Sequence, residues 1–222
     1  MTTEINTKGR VRFSKADWFT KIYNRDVLVI GAGGIGSWLI NFLARLGANV
    51  IVYDGDPYNV NNLGGQLIGK EAVGTNKAEA IADLVNGFIG EQRVTAIDDF
   101  YTAENSTTYP DTFACVDNME VRLFIYQQWL SQKKDRNIFI DGRMGAEQYQ
   151  LYCITKEQDH YLKKHWFPSN EATPLPCAYR ATSHIGSMVA SQMIASYTNF
   201  YSENYVPERS EFITQIMKME TS

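Results

Sequence analysis

Residues 26–54 read DVLVIGAGGIGSWLINFLARLGANVIVYD, and this stretch decides the fold. Asp26-Val27-Leu28-Val29-Ile30 is a short, apolar, β-branched run. Such a run suits a central parallel strand covered on both faces. Glycines follow at 31, 33, 34 and 36. Ile35, Trp38, Leu39, Phe42, Leu43 and Leu46 are then spaced 3, 1, 3, 1 and 3 apart, which is one apolar stripe on a helix, and Gly47 ends it. Val50-Ile51-Val52-Tyr53-Asp54 predicts a second buried strand. Strand, helix and strand in about 30 residues make a right-handed βαβ unit.

The alternation continues outward. A Gly- and Asn-rich loop spans 55–74, and Asn76 with Glu79 forms a capping pair for a helix over about 76–89. Strands are expected near 93–97, 112–116, 137–141 and 148–155, with a helix near 119–132. Residues 156–180 read as irregular, and Ile185, Met188, Val189 and Met193 mark a late helix in which Gly186, Ala190 and Ser191 allow close packing. Residues 1–25 read as an arm ahead of one domain over 26–222. The fold class is therefore α/β, a doubly wound, mostly parallel Rossmann-like sheet with helices on both faces.

Composition narrows the function. The chain has 222 residues, 44% hydrophobic and 21% charged, and a formal net charge of −4. That balance supports a packed core and gives no global attraction for nucleic acid or anionic lipid. No apolar run approaches the ~18 residues that span a bilayer, and the first residues carry no secretion signal. Cys115, Cys153 and Cys177 lie far apart, which argues against a disulfide framework or a four-cysteine zinc clamp and for a reducing cytoplasm. Cys115 and Cys153 read as core residues, and His160, His165 and His184 as solvated or hydrogen-bonded side chains.

Gly31-Ala32-Gly33-Gly34-Ile35-Gly36 fits G-x-G-x-x-G between a strand and a helix. The first glycine permits the turn, the second lets backbone approach a phosphate, and the last lets the helix lie close to the sheet. Free N–H groups at the helix start favour an anion. Asp54 ends the second strand 18 residues after Gly36, where a carboxylate accepts ribose hydroxyls. To this point NAD, flavin and ATP are equally served.

Residues further along the chain separate these ligands. Asp54 and Asp56 form D-x-D, Asn62-Leu63-Gly64-Gly65-Gln66 comes next, then Val73-Gly74-Thr75-Asn76-Lys77, and later Asp117-Asn118-Met119-Glu120-Val121-Arg122. Together with the glycine loop these features resemble the ubiquitin-activating-enzyme-like superfamily, the ThiF/MoeB/HesA adenylyltransferases, over about residues 26–145. The resemblance implies ATP binding, adenylation of the C-terminal carboxylate of a small ubiquitin-like or sulfur-carrier protein, and a homodimer. It makes Asp54 and Asp56 nucleotide-binding, Lys77 a phosphate neutraliser, Asp117 the Mg²⁺ ligand beside Asn118, and Asn62 and Gln66 neutral hydrogen-bonding groups. The chemistry agrees: attack on an α-phosphorus needs cations near the phosphates, a metal ligand and a rigid cradle. In a doubly wound sheet such a site lies at the switch point, here between the first and fourth strands.

Two departures matter. The family arginine of N-L-x-R-Q falls at Gly65, so Lys70 or the arm residues Arg10 and Arg12 become candidate replacements, although the family's R-Y-x-R-Q arm motif is missing. Cys177, beside Arg180 and ahead of the late helix, reads either as a thioester acceptor, with His184 as a possible base, or as a buried structural cysteine. The alternatives to an active adenylyltransferase are a degenerate relative that binds nucleotide or protein without turnover and an NAD-dependent oxidoreductase.

Overall fold

The computed structural model describes residues 9–10, 12–132, 137–145, 147–155, 159–171 and 182–222. A short helix α1 (Phe19–Ile22) precedes strand β1 (Asp26–Ile30), helix α2 (Gly36–Leu46) and strand β2 (Asn49–Tyr53). Then come α3 (Lys77–Ile89), β3 (Val94–Ile97), β4 (Asp111–Ala114), α4 (Met119–Leu130), β5 (Ile138–Gly145) and β6 (Gln148–Ile154). The chain closes with α5 (Asp159–Lys164), α6 (Ser183–Ser202), β7 (Arg209–Ile213) and β8 (Lys218–Thr221).

The sheet order is β3-β2-β1-β4-β5-β6-β7-β8. The first five strands run parallel, and β6, β7 and β8 are antiparallel to their neighbours. β1 therefore sits between β2 and β4, which is the expected switch point. Alternation along β1 feeds two cores. Val27 and Val29 join a cluster with α2, α3 and α6, while Leu28 and Ile30 join a second one with Tyr126 and Trp129 of α4 and Tyr161 of α5. Burial on both faces is why the strand is continuously apolar.

The caps follow the sequence. The Asn76 side chain accepts the Glu79 N–H at 3.0 Å, and Gly47 ends α2 in the left-handed region. Three segments differ from expectation. The stretch before β1 holds α1, with Phe19 and Ile22 buried and Phe13, Trp18, Phe19 and Tyr23 in ring contact. This cluster forms without a helical or strand period, so no pattern announced it. Within 156–180, α5 buries Tyr161 completely. Beyond the late helix, β7 and β8 extend the sheet.

Candidate functional site

The chain must turn sharply where β1 meets α2. Gly31 has φ +95°, and a Cβ there would lie 2.7 Å from the Cys115 carbonyl oxygen on β4's exit. A Cβ on Gly36 would lie 1.8 Å from the Gly31 oxygen. Both positions exclude any side chain, so the turn holds α2 against the sheet with its free N–H groups at the strand ends. Gly186 of α6 comes equally close from outside: a Cβ there would lie 2.3 Å from the Gly34 oxygen. The late helix thus braces the glycine loop.

A cavity of about 740 Å³ opens at this switch point. Its lining brings Gly31, Gly33 and Gly34 together with Asp54, Asp56, Gln66 and Lys77 on one side and Asp117, Asn118 and Arg122 on the other. Phe100 and Tyr101 complete an apolar wall.

The Asp54 carboxylate accepts the N–H of Ala32 at 2.7 Å and of Asp56 at 3.0 Å. Burial raises its pKa against the opposing pull of those two bonds. Each oxygen keeps a free lone pair, so ribose hydroxyls can still donate to it. Lys77 starts α3 and is only 13% exposed; its ammonium lies 2.9 Å from the Asp56 carboxylate. Its amine is therefore pinned at the cavity rather than solvated. Gln66 Oε1 is buried without a hydrogen-bond partner among the described residues. An orphaned buried acceptor costs about 1–3 kcal/mol, which a donor from a ligand would recover.

On the opposite wall, Asn118 caps α4, its Oδ1 accepting the Val121 N–H at 2.9 Å. Asp117 is exposed at the cavity and makes no hydrogen bond among the described residues. Arg122 is buried and donates to Asp141, to the Val116 carbonyl and, at 3.1 Å, to the Gly142 carbonyl. Burial and the nearby Arg143 lower its pKa to about 10, so it stays cationic at neutral pH. Asp141 also accepts from Arg143 Nε and from the Tyr161 hydroxyl, each at 2.8 Å. Two guanidinium groups thus share the Asp141 carboxylate, and one of them, Arg122, lines the cavity beside Asp117. The sequence motif that holds Arg122 gives it no role and does not include Asp141 and Arg143; the charges inside the apolar run of β5 were the available signal.

Three other residues lie elsewhere. Asn62 is outside the cavity lining; its Oδ1 accepts the Asn59 N–H at 2.9 Å and shapes the loop that carries Gln66. Arg10 is 5% exposed and donates to Glu91 at 2.7 Å, to the Arg45 carbonyl at 2.9 Å and to the Ala44 carbonyl at 3.1 Å. This puts it at the C-terminal end of α2, roughly 16 Å of helix away from the glycine loop. Arg12 is exposed, and Cys177 lies outside the described residues. Burial raises the Cys115 and Cys153 pKa values to about 12, in keeping with two core thiols. Among the described residues no helix is long and apolar enough to cross a membrane, and no cluster of three or more His, Cys, Asp or Glu side chains could hold a metal.

Comparison with known proteins gives this geometry a family. The tRNA threonylcarbamoyladenosine dehydratase of Haemophilus influenzae is 33% identical over 167 residues, covering 70% of this chain and 64% of that protein. Its Escherichia coli counterpart is 39% identical over 85 residues, 37% of this chain and 32% of its own. The chain thus spans about one to two thirds of these relatives. Zea mays adenylyltransferase and sulfurtransferase MOCS3-2 is 45% identical over 65 residues, 28% of this chain and 14% of its own. The crystal structure of E. coli MccB with ATP has the same fold, with a TM-score of 0.72 at 16% identity over 93% of this chain and 65% of that one. The model of the ThiF family matches residues 7–221, and the chain belongs to that family.

Proposed function

We propose that the chain binds ATP with Mg²⁺ and adenylates the terminal carboxylate of a small ubiquitin-like or sulfur-carrier protein. The observation that carries this reading is the joint placement of the glycine loop, Asp54, Lys77 and Asp117 around one cavity, with an unpaired Gln66 acceptor in its wall. Asp54 holds the ribose, the glycine loop N–H groups take phosphate oxygens, and Lys77 exchanges Asp56 for phosphate. A carboxylate oxygen then attacks the α-phosphorus, the bond to pyrophosphate breaks, and an acyl adenylate remains. The residues present suit Mg²⁺: one free carboxylate, Asp117, with phosphate oxygens as the other ligands, is how this cation is usually held. When bound it would neutralise phosphate charge. Arg122, buried beneath the cavity, supports the same end electrostatically. The ThiF family match weighs against the nicotinamide alternative. Two copies acting together are part of this proposal, as the family resemblance implies.

A second reading rests on the 33% identity to a tRNA threonylcarbamoyladenosine dehydratase. Activation of a carboxylate on a modified nucleoside would use the same cavity, although a net charge of −4 offers little for an RNA backbone. ATP–pyrophosphate exchange separates the readings. Stimulation by carrier proteins ending in glycine supports the first, and stimulation by threonylcarbamoylated tRNA supports the second. Saturable ATP binding without exchange under either condition sinks both in favour of a binder without turnover.

A further inference from the structure

The glycine loop is held from behind by the segment that follows β2. Ala32 comes directly after Gly31, and both of its backbone groups have partners there. Its N–H donates to the Asp54 carboxylate at 2.7 Å, and its carbonyl accepts from the Tyr58 hydroxyl at 3.3 Å. Neither that hydroxyl nor that carbonyl has another partner among the described residues. Tyr58 is 1% exposed and is not among the residues that line the cavity, so it draws the carbonyl inward. Burial raises the Tyr58 pKa, which keeps the hydroxyl neutral and able to donate.

The peptide between Ala32 and Gly33 is trans, so the Ala32 carbonyl and the Gly33 N–H point in opposite directions. A carbonyl held inward therefore turns that N–H toward the cavity that Gly33 lines. The Gly33 N–H has no partner among the described residues. Ahead of the first turn of α2 it suits an anionic oxygen, to which an N–H bonds more strongly than to a neutral one. Tyr58 also reaches the other element that faces phosphate. Its N–H donates to the Thr75 carbonyl at 2.9 Å, and its carbonyl accepts from the Gly74 N–H at 2.8 Å. Lys77 starts α3 two residues after Thr75. One residue thus ties the glycine loop to the turn that carries the lysine. Asp54 holds the Ala32 N–H separately, so loss of the hydroxyl frees the carbonyl and leaves the ribose carboxylate in place.

We propose that Tyr58 is a positioning residue for the phosphates of the bound nucleotide: its hydroxyl fixes the Ala32–Gly33 peptide so that the Gly33 N–H meets a phosphate oxygen. This rests on the nucleotide-binding part of the proposed function and assigns a task to a residue that touches no ligand.

Isothermal titration calorimetry of the wild type and Tyr58→Phe, without Mg²⁺, tests it with ATP, ADP and adenosine, the last by displacement of ATP. Phenylalanine keeps the ring and its packing, and the melting temperature monitors the fold. ATP and ADP should bind about five- to tenfold more weakly to the variant, the order of one weakened hydrogen bond to a charged group. Adenosine, which carries no phosphate, should bind both chains alike. Equal losses for ATP and adenosine would make Tyr58 a packing residue and overturn the proposal. An unchanged ATP affinity in a variant that melts like the wild type would overturn it as well. NAD separates this outcome from that of the ATP reading. A wild type that prefers NAD to ATP defeats the ATP reading, yet a variant that loses NAD affinity and keeps adenosine affinity supports the role of Tyr58, because NAD carries a diphosphate. A wild type that binds none of these ligands overturns both.

Discussion

Gly186→Ala perturbs the site from outside, through the contact of α6 with the glycine loop. Alanine is favoured over glycine in a helix by roughly 0.5–1 kcal/mol. Here the new methyl would lie 2.3 Å from the Gly34 carbonyl oxygen, a backbone atom that cannot rotate away. Overpacking of this kind costs about 1–3 kcal/mol, and a backbone neighbour puts it in the upper half. The net expectation is a loss of ~1–2 kcal/mol. Gly87→Ala is the control: it lies within α3, is exposed, and a Cβ there meets nothing within 4 Å. That variant should gain up to ~1 kcal/mol. For a chain of this size 1 kcal/mol moves Tm by about 2–4 °C, so the two variants should differ by roughly 2–12 °C. Because Gly34 belongs to the cavity, Gly186→Ala should also reduce the Tm rise produced by ATP with Mg²⁺, while Gly87→Ala leaves it intact. Equal stability and equal ATP response in the two variants would refute the bracing role of α6.

The same geometry sets three further outcomes. Arg10→Ala should lower stability in urea by about 1–2 kcal/mol, since it removes a buried guanidinium from the Arg45 and Ala44 carbonyls and from Glu91, which keeps Arg93 as a partner, and should leave ATP binding unchanged; normal stability with lost exchange would instead place Arg10 in the chemistry. Iodoacetamide on the native chain at neutral pH should spare Cys115 and Cys153, whose buried thiols have pKa values near 12, and mass spectrometry before and after unfolding checks this. Gly65 is buried but is not among the positive-φ glycines, so its φ does not exclude a side chain. Gly65→Arg should tighten ATP binding about tenfold through one charge-assisted contact; a well-folded variant with unchanged affinity would show that the cavity's cations already suffice.

How far the sequence revealed the fold depended on the range of the interactions. The βαβ unit was legible because burial on both faces leaves a continuous run in β1, and α2 leaves one apolar stripe. The convergence of Asp54, Lys77 and Asp117 on one cavity was legible because motif order and the switch-point rule bring these segments to the same end of the sheet. The α1 segment was not, because Arg10, Phe13, Phe19 and Ile22 pack through contacts distant in sequence or without period. Nor was the full role of α4, whose buried stripe carries Arg122 among Met119, Ile125, Tyr126 and Trp129; a charge there breaks the apolar pattern, and only its pairing with Asp141 on β5 explains it. β7 and β8 escaped notice because β7 alternates weakly and β8 is exposed at every position.

In the proposed function the cavity is an ATP·Mg²⁺ site with Asp117 as the protein's metal ligand. Isothermal titration calorimetry of the chain and of Asp117→Ala, with ATP in the presence and absence of Mg²⁺ and with NAD, addresses it most directly. The wild type should bind ATP saturably, and Mg²⁺ should strengthen that binding. Asp117→Ala should lose the Mg²⁺ dependence while staying folded, because Asp117 is exposed, and neither chain should bind NAD comparably. NAD binding more tightly than ATP, or an Asp117→Ala chain that responds to Mg²⁺ as the wild type does, would contradict it.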